Sequence, residues 1–281
     1  MEIKIKKITA QLVMSLRKKI GAPLMECKKA LLKFNGDFLK SEKFLKSKIN
    51  KKFLCTSFEK LYNGIIVIFI NEKKKIGTIL EIKCETDFIS KNLEFIKFSN
   101  KLVKLITNKN SIKFTKNEFT KIKNKKIEKL RLNFINKTKE KILINRFLKL
   151  KTKYQFTNYI HDNKIGVIIE FKGENIKIAK EIAMHIAAMK PIALDINEIP
   201  SKIIKEEKSI LLLKISKLNK PKKIIKKIIK NSINNFLKKN SLYNQIFIKD
   251  KTKTIKEILK IYNLIIYSYN IFILGEKINE K

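Results

Sequence analysis

The segment KKIGTILEI (74–82) recurs almost unchanged as NKIGVIIEF (163–171). Each copy runs Lys-Ile-Gly and then an apolar stretch that is interrupted by one Glu. Each also follows a β-branched run across a polar turn, GIIVIFI (64–70) or YQFTNYI (154–160), and this arrangement predicts two β-hairpins. We interpret the recurrence as an internal repeat that builds two α+β lobes side by side. Two ordinary hairpins with a chance similarity are the alternative.

A helical pattern follows each predicted hairpin. The first helix is predicted from Asp87 to about Ile106. The second runs from about Asn175 to Lys190, and Pro191 stops it because proline cannot continue a helix. The order of hairpin and then helix therefore occurs twice.

The region from 196 to 239 has a purely helical pattern. Apolar pairs such as Ile224-Ile225 recur at helical spacing, and Asn-Lys-Pro (219–221) divides the region into two arms. We therefore predict an antiparallel helical hairpin inserted in the second lobe. The lobe is then completed by a run at 244–250, a helix from about Thr254 to Tyr262 and a strand at 265–273.

The first fifty residues predict three short helices. Thr9 can cap the first helix and Gly21 can end it, while Pro23 suits the first turn of the second helix. Asp37 caps the third helix, which is predicted to end near Ile49. Because helices this short are unstable alone, the three must pack as a small bundle. Residues 50 to 63 are predicted to be a linker.

The chain carries a net charge of +40, with 65 Lys plus Arg. Three of these are Arg, which leaves 62 Lys, spread over every segment beside Ile and Asn. Lys, Ile and Asn are encoded by A/T-rich codons, so drift in an A/T-rich genome explains the charge. A nucleic-acid surface is the alternative, since cations that displace counterions from phosphates bind nucleic acid.

The composition also limits the class of protein. No apolar run reaches 18 charge-free residues, so no transmembrane helix is predicted, and the N-terminus lacks the apolar region of a signal peptide. Cys27, Cys55 and Cys84 lie far apart, and the chain has two His, so we expect no metal site. Phosphate-binding and nucleophile-elbow motifs are absent. We therefore expect a cytoplasmic protein that is not an enzyme and needs no cofactor.

Four blocks carry a resemblance to a known family. They are SLRKKIGAPLMECKKALLKFNGD (15–37), CETDFIS (84–90), YIHDNKIGVII (159–169) and IAMHIAAMKP (182–191). In this order they resemble the elongation factor Ts family, the nucleotide-exchange factors of elongation factor Tu. Three departures are Ile20 where the family has Thr, Glu181 where His is common, and the absence of the Ala-rich basic connector between 50 and 63.

The resemblance implies an α+β fold. A three-helix ubiquitin-associated-like domain is followed by a core of two related α+β subdomains, the second interrupted by the helical hairpin. The implied ranges are 1–54 for the helical domain and its linker, 55–150 for the first core subdomain, 151–194 and 241–281 for the two parts of the second, and 195–240 for the hairpin. The C-terminal helical module of longer members is expected to be absent.

The resemblance also implies a function, which is to promote GDP release and GDP/GTP exchange on elongation factor Tu. The residues implied to intrude near the partner's magnesium and phosphate site are Thr86, Asp87, Phe88 and Ile89. Further partner contacts are implied at Arg17, Gly21, Met25 and Lys28 in the N-terminal domain, and at His161, Met184 and His185 in the second lobe. A homodimer through the hairpin is allowed, whereas neither a membrane nor nucleic acid is required.

Taken without the family, these residues have other interpretations. Thr86-Asp87 is then an ordinary helix cap with a favourable charge at the helix N-terminus, and Phe88 is a half-buried core residue. A basic RNA-binding or ribosome-associated module is the second functional hypothesis, and an enzyme is the third. The Lys-Ile faces of the hairpin could also favour an anionic membrane, although the partner arm of the hairpin needs the same apolar face.

Overall fold

Three helices form the N-terminal part of the chain. The structure is a computed structural model that describes residues 8–20, 22–54, 61–108, 124–215 and 222–276. Its first helices are α1 (Ala10–Ile20), α2 (Leu24–Lys33) and α3 (Phe38–Leu54). The predicted caps are present, since Thr9 Oγ1 accepts a hydrogen bond from Leu12 N at 3.3 Å and Asp37 Oδ1 accepts one from Lys40 N at 2.9 Å. Gly21 lies outside the described residues.

The predicted linker at 50–63 is partly wrong, because α3 continues to Leu54. No Gly or Pro occurs between Asn50 and Tyr62, so no strong helix breaker ends α3 at Ile49. The three helices pack around fully buried Leu16 and Leu31. Ser41 Oγ also donates a hydrogen bond from α3 to the Ala30 carbonyl of α2 at 3.1 Å.

The first lobe is a three-stranded antiparallel sheet with helices on one face. Its elements are β1 (Asn63–Ile70), β2 (Ile76–Cys84), α4 (Asp87–Lys91), α5 (Leu93–Asn108), α6 (Lys125–Thr138) and β3 (Ile142–Lys151), and the strand order is β1-β2-β3. The single helix predicted from Asp87 is therefore two helices. Asn92 has extended backbone and its Oδ1 accepts a hydrogen bond from Glu94 N at 2.7 Å, so this residue ends α4 and begins α5.

The second lobe repeats this plan. Its elements are β4 (Gln155–His161), β5 (Ile165–Lys172), α7 (Ile176–Met189), the short pair β6 (Ile246–Phe247) and β7 (Asp250–Thr254), α10 (Ile255–Ile261) and β8 (Ile265–Ile273). The order of the main sheet is β4-β5-β8, so in each lobe the last strand pairs with the second strand of the hairpin. Both sheets also carry a bulge directly after the repeated Glu, at Glu81 and at Glu170.

The inserted hairpin consists of α8 (Ser201–Ile215) and α9 (Lys222–Asn240), which contact each other. The Asn-Lys-Pro break at 219–221 lies outside the described residues. None of the described side chains of α9 is fully buried. None of the helices in the described part of the chain is long and apolar enough to cross a membrane.

The two sheets pack against each other through the glycines of the repeat. A Cβ atom on Gly77 would lie 2.4 Å from Ile168 Cδ1, and one on Gly166 would lie 2.6 Å from Ile66 Cγ2. Buried Phe272 fills the space beside them. The Lys-Ile-Gly motif is therefore repeated because each copy provides a close approach to the opposite sheet.

Candidate functional site

The segment between β2 and α4 presents one aromatic ring to solvent. β2 ends at Cys84, α4 begins at Asp87, and the side chain of Phe88 in the first turn is 82% exposed. The interpretation of Phe88 as a half-buried core residue is therefore wrong. An exposed large apolar side chain at a helix start contributes little to the core of its own chain.

Thr86 fixes the start of this helix. Its backbone is extended, and its Oγ1 accepts a hydrogen bond from Ile89 N at 3.4 Å, as expected of an N-cap residue. Ile89 itself is half-buried and packs against the hydrophobic core of the first lobe. Phe88 thus lies between Thr86, which caps the helix, and Ile89, which is anchored in the core.

A second contact to Thr86 comes from a distant part of the chain. Thr86 Oγ1 donates a hydrogen bond to Glu140 Oε1 at 2.7 Å, and Thr86 N donates one to Glu140 Oε2 at 3.2 Å. Glu140 lies in the loop between α6 and β3, where Lys139 adopts left-handed backbone (φ 63°). Lys141 N in the same loop donates a hydrogen bond to Glu85 Oε2 at 3.4 Å.

Two further contacts hold the backbone between β2 and α4. Cys84 Sγ donates a hydrogen bond to the Thr86 carbonyl at 3.2 Å, and Asn63 Nδ2 donates one to the Glu85 carbonyl at 3.1 Å. Burial, with the nearby Glu140 carboxylate, raises the pKa of the Cys84 thiol to about 12. This thiol therefore remains a protonated donor at neutral pH.

The carboxylate of Asp87 faces solvent. Asp87 Oδ2 lies 2.9 Å from Lys91 Nζ, and this hydrogen-bonded ion pair lowers the pKa of Asp87 below its usual range. Asp87 is consequently an anion at neutral pH. It lies beside Phe88 and in the first turn of α4, where a negative charge is favourable.

The implied N-terminal contacts lie on exposed positions. Arg17 on α1 and Met25 and Lys28 on α2 are exposed, and the Met25 side chain is 60% accessible to solvent. Burial lowers the pKa of Lys139, while the thiol of Cys27 and the carboxylate of Glu26 act in the opposite direction.

The implied contacts of the second lobe differ in exposure. His161 is exposed and its Nε2 lies 3.6 Å from Asp162 Oδ2, whereas Met184 is half-buried. His185 is 0% exposed, and its Nε2 lies 2.8 Å from Gln245 Oε1. The expectation that His185 contacts a partner directly is therefore corrected, because its ring belongs to the interior of the lobe.

The chain was compared with known proteins. The family model described as Elongation factor TS matches residues 85–276. The chain is 36% identical to Elongation factor Ts of Janthinobacterium sp. (strain Marseille) over 274 residues, which are 98% of this chain and 93% of that protein. It is 34% identical to Elongation factor Ts of Burkholderia multivorans and 35% identical to that of Paraburkholderia phytofirmans, with the same coverage. The chain belongs to the elongation factor Ts family.

Glu140 is the residue of this elongation factor Ts chain that sequence reasoning does not find. It lies 54 residues from Thr86, and no local pattern links the two. The one signal in the sequence is negative: a Thr cap of this kind is often paired with Glu three residues later, but that position is Ile89. The absence of a local Glu leaves the acceptor of the Thr86 N–H open and does not identify Glu140.

Metal-ligating side chains and thiols in the described part of the chain give no second candidate site. Within it, no three His, Cys, Asp or Glu side chains lie close enough to hold a metal ion. Cys27 and Cys84 are both buried. Among the exposed large apolar side chains of the described residues, Phe88 has the highest exposed fraction, 82%, and its backbone is held by the contacts of Thr86.

Proposed function

We propose that this chain is the guanine-nucleotide exchange factor of elongation factor Tu, and that it promotes GDP release and GDP/GTP exchange. The single observation that supports this is the exposed Phe88 ring on a capped turn, in a chain that belongs to the elongation factor Ts family. Thr86, Asp87, Phe88 and Ile89 act together as a wedge near the partner's magnesium and phosphate site.

The proposed step makes or breaks no covalent bond, so the chain is a binding protein and not an enzyme in the chemical sense. GTPases hold GDP through a phosphate-binding loop, its Lys and a Mg²⁺ ion, all of which belong to the partner. Moving the groups that surround the magnesium weakens GDP binding. Linkage then requires that GDP weakens the binding of this chain by the same factor.

The fixed backbone of the turn between β2 and α4 explains why Phe88 can act as a wedge. Ordering a loop during association costs free energy, and a turn that is already fixed avoids that cost. Thr86 supplies the cap, Ile89 the anchor in the core, and Asp87 a negative charge beside the ring. That charge is of the sign that competes with phosphate and carboxylate oxygens for the magnesium.

Docking is proposed to use two further surfaces. Arg17, Gly21, Met25 and Lys28 contact the partner from the N-terminal domain, and His161 and Met184 contact it from the second lobe. His185 supports that second surface from inside through its hydrogen bond with Gln245. We assign the chain to the cytoplasm, where protein synthesis takes place, with no requirement for a membrane or for nucleic acid.

The proposed division of the chain follows the family. Residues 1–54 form the ubiquitin-associated-like domain and linker, 55–150 the first core subdomain, 151–194 and 241–281 the second, and 195–240 the hairpin. We further propose that the hairpin pairs with a second copy, because apolar side chains such as Ile210, Leu212 and Ile224 are about half exposed on it. Sedimentation of the chain with its partner, with and without Ile210→Ser and Ile224→Ser, tests this.

Release of a fluorescent GDP analogue from purified elongation factor Tu tests the exchange function. The unaltered chain at catalytic concentration is expected to accelerate release in the presence of excess unlabelled nucleotide. Binding to RNA without any effect on release would favour the basic RNA-binding module instead. A titration with single-stranded RNA on the same preparation separates the two outcomes.

A further inference from the structure

The cap of α4 is a capping box whose acidic residue comes from a distant loop. In a local capping box, the acidic side chain three residues after the cap accepts a hydrogen bond from the cap residue's own N–H. At α4 that position is Ile89, and Glu140 accepts from both Thr86 N (3.2 Å) and Thr86 Oγ1 (2.7 Å). The hydroxyl of Thr86 also accepts a hydrogen bond from Ile89 N, so it donates to Glu140 and accepts from α4 at the same time.

The same chain contains the local version for comparison. At the start of α10, Glu257 Oε2 accepts hydrogen bonds from Thr254 N at 2.7 Å and Thr254 Oγ1 at 2.8 Å, and Glu257 is three residues away. The chemistry of the two caps is therefore equal. They differ in that the Glu257 cap holds only its own helix, whereas the Glu140 cap joins α4 to another part of the lobe.

This long-range cap connects two segments of the first lobe. The loop that carries Glu140 begins at Lys139, which adopts left-handed backbone (φ 63°). It ends at Lys141, whose N–H donates to Glu85. The loop therefore holds the turn that exposes Phe88 at two consecutive residues, Glu85 and Thr86.

We propose that Glu140 is a positioning residue for nucleotide release, which holds the Phe88 turn in the orientation that the partner meets. This inference rests on the proposed exchange function and adds to it a residue outside the Thr86–Ile89 segment. Glu140 acts through Thr86, and it does not touch the nucleotide or the magnesium. When Glu140 is replaced, the Phe88 side chain is still present, but the turn that carries it can reorient.

The test measures GDP release from elongation factor Tu as a function of the concentration of this chain. Glu140→Ala is expected to lower the saturated release rate about tenfold, while the concentration for half-maximal effect changes less than about twofold. Glu140→Gln is expected to recover part of the rate, because its amide oxygen still accepts from the Thr86 hydroxyl. Added to Phe88→Ala, Glu140→Ala is expected to change the rate less than about twofold, since the ring to be positioned is absent.

Glu257→Ala is the matched control, because it removes the same pair of hydrogen bonds from the local capping box. It is expected to leave the saturated rate unchanged. An equal loss of rate in Glu257→Ala, or additive losses in the Phe88→Ala and Glu140→Ala double variant, would overturn the proposal. So would a Glu140→Ala variant that melts at the unaltered temperature and releases GDP at the full rate.

A second measurement keeps the inference separate from the function on which it rests. Hydrogen exchange at the amides of Thr86 and Ile89 is expected to rise in Glu140→Ala and in Thr86→Val, and to stay constant in Glu257→Ala. Unchanged hydrogen exchange in Glu140→Ala would refute the proposal that Glu140 holds the turn, even if the rate of GDP release falls. No acceleration by the unaltered chain would refute the exchange function, and the positioning role with it.

Discussion

The two lobes share one scaffold and differ where the helix begins. In both, an antiparallel hairpin is extended by a third strand on its second strand, and a bulge follows the repeated Glu. Thr86 and Asn175 occupy the same place after the hairpin, and each caps the helix through the N–H three residues later. After this cap the first lobe continues with Asp87-Phe88 and the second with Ile176-Lys177. The capped helix start therefore occurs in both lobes, whereas the Asp-Phe pair of the candidate site occurs only in the first lobe.

The repeated Glu shows the same division in the interior. Glu81 is fully buried and its Oε2 lies 2.5 Å from Arg146 Nε on the neighbouring strand. Glu170 at the equivalent register accepts a hydrogen bond from Ser268 Oγ at 2.8 Å. Arg146 also donates to the Ile273 carbonyl of the second lobe at 2.8 Å. The same position thus holds an ion pair within the sheet of the first lobe in one copy, and a hydrogen bond from a neutral hydroxyl in the other.

The largest effect on stability is expected from replacing Arg146, the cation that is paired with Glu81. Arg146→Met leaves the Glu81 carboxylate buried without its partner, which costs about 3–5 kcal/mol of unfolding free energy. Urea unfolding followed by circular dichroism measures this loss. Ser268→Ala at the equivalent place of the second lobe should cost about 1 kcal/mol, since it removes one hydrogen bond to a carboxylate that keeps Thr152 as a donor. Equal losses in the two variants would contradict this difference between the lobes.

The next contrast concerns the helix starts. Phe88→Ala is expected to slow catalysed GDP release by about 30-fold, because a buried aromatic hot spot is worth roughly 2–4 kcal/mol. Its melting temperature should stay within about 1 °C, since the ring is exposed in the free chain. Stopped-flow fluorescence and calorimetry measure the two quantities.

Lys177→Ala provides the matched change in the second lobe, because Lys177 follows Asn175 as Phe88 follows Thr86. It should leave both release and stability unchanged. If Phe88→Ala instead lowers the melting temperature sharply while release per folded molecule stays constant, the ring stabilises the lobe and is not a wedge.

The repeat could be predicted from the sequence because its signal is local. β-branched runs, polar turns and the two copies of Lys-Ile-Gly indicate the hairpins at 64–82 and 154–171, and the structure contains both. The exposed position of Phe88 followed from the resemblance, since a helix cap alone favoured a half-buried ring. The N-terminal helices also carry local caps, at Thr9 and Asp37.

Elements that depend on distant partners could not be predicted. The sequence analysis assigned nothing to α6 and β3. The end of β3, where Leu alternates with Lys, does carry a strand pattern, but its pairing partner β2 lies far away in the sequence. Burial of His185 could not be predicted either, as its acceptor Gln245 lies 60 residues away. Glu140 belongs to the same class. Local patterns thus predicted the scaffold, and long-range hydrogen bonds remained beyond them.

A smaller loss of stability, of equal size in the two lobes, is expected at the repeated glycines. Gly77→Ala and Gly166→Ala each place a Cβ atom within 2.4–2.6 Å of an Ile methyl of the opposite sheet. Buried side chains must shift to admit each Cβ atom, so each substitution should cost about 1–3 kcal/mol from overpacking. Thermal unfolding of both variants checks this. A large loss in one variant and none in the other would show that the two glycines are not equivalent.

The stability of the chain should depend on pH through His185, which is buried in the second lobe. Burial lowers the pKa of His185 in the folded chain below its ordinary value of 6.5. The unfolded chain therefore binds more protons, and the stability from this residue falls as the pH drops through 6.5 and below. Urea unfolding between pH 7.5 and 5.5 should show a shallower decline for His185→Gln, with His161→Gln as the exposed control. An identical decline in the unaltered chain and in His185→Gln would exclude this residue as the cause.

The smallest effect is expected in the hairpin, which is inserted in the second lobe and carries much of its charge. α9 contains seven Lys in 19 residues and no acidic residue, so it is richer in Lys than the chain as a whole, although the 62 Lys are spread over every segment of the sequence. If the lysines reflect codon drift, replacing Lys222, Lys223, Lys226 and Lys227 together by Gln should slow GDP release by less than about threefold, or roughly 0.7 kcal/mol. The release assay at two salt concentrations measures this, because a loss from long-range attraction would disappear at the higher one. A collapse of exchange at both salt concentrations, together with loss of RNA binding, would instead assign the second lobe a nucleic-acid surface that the first lobe does not have.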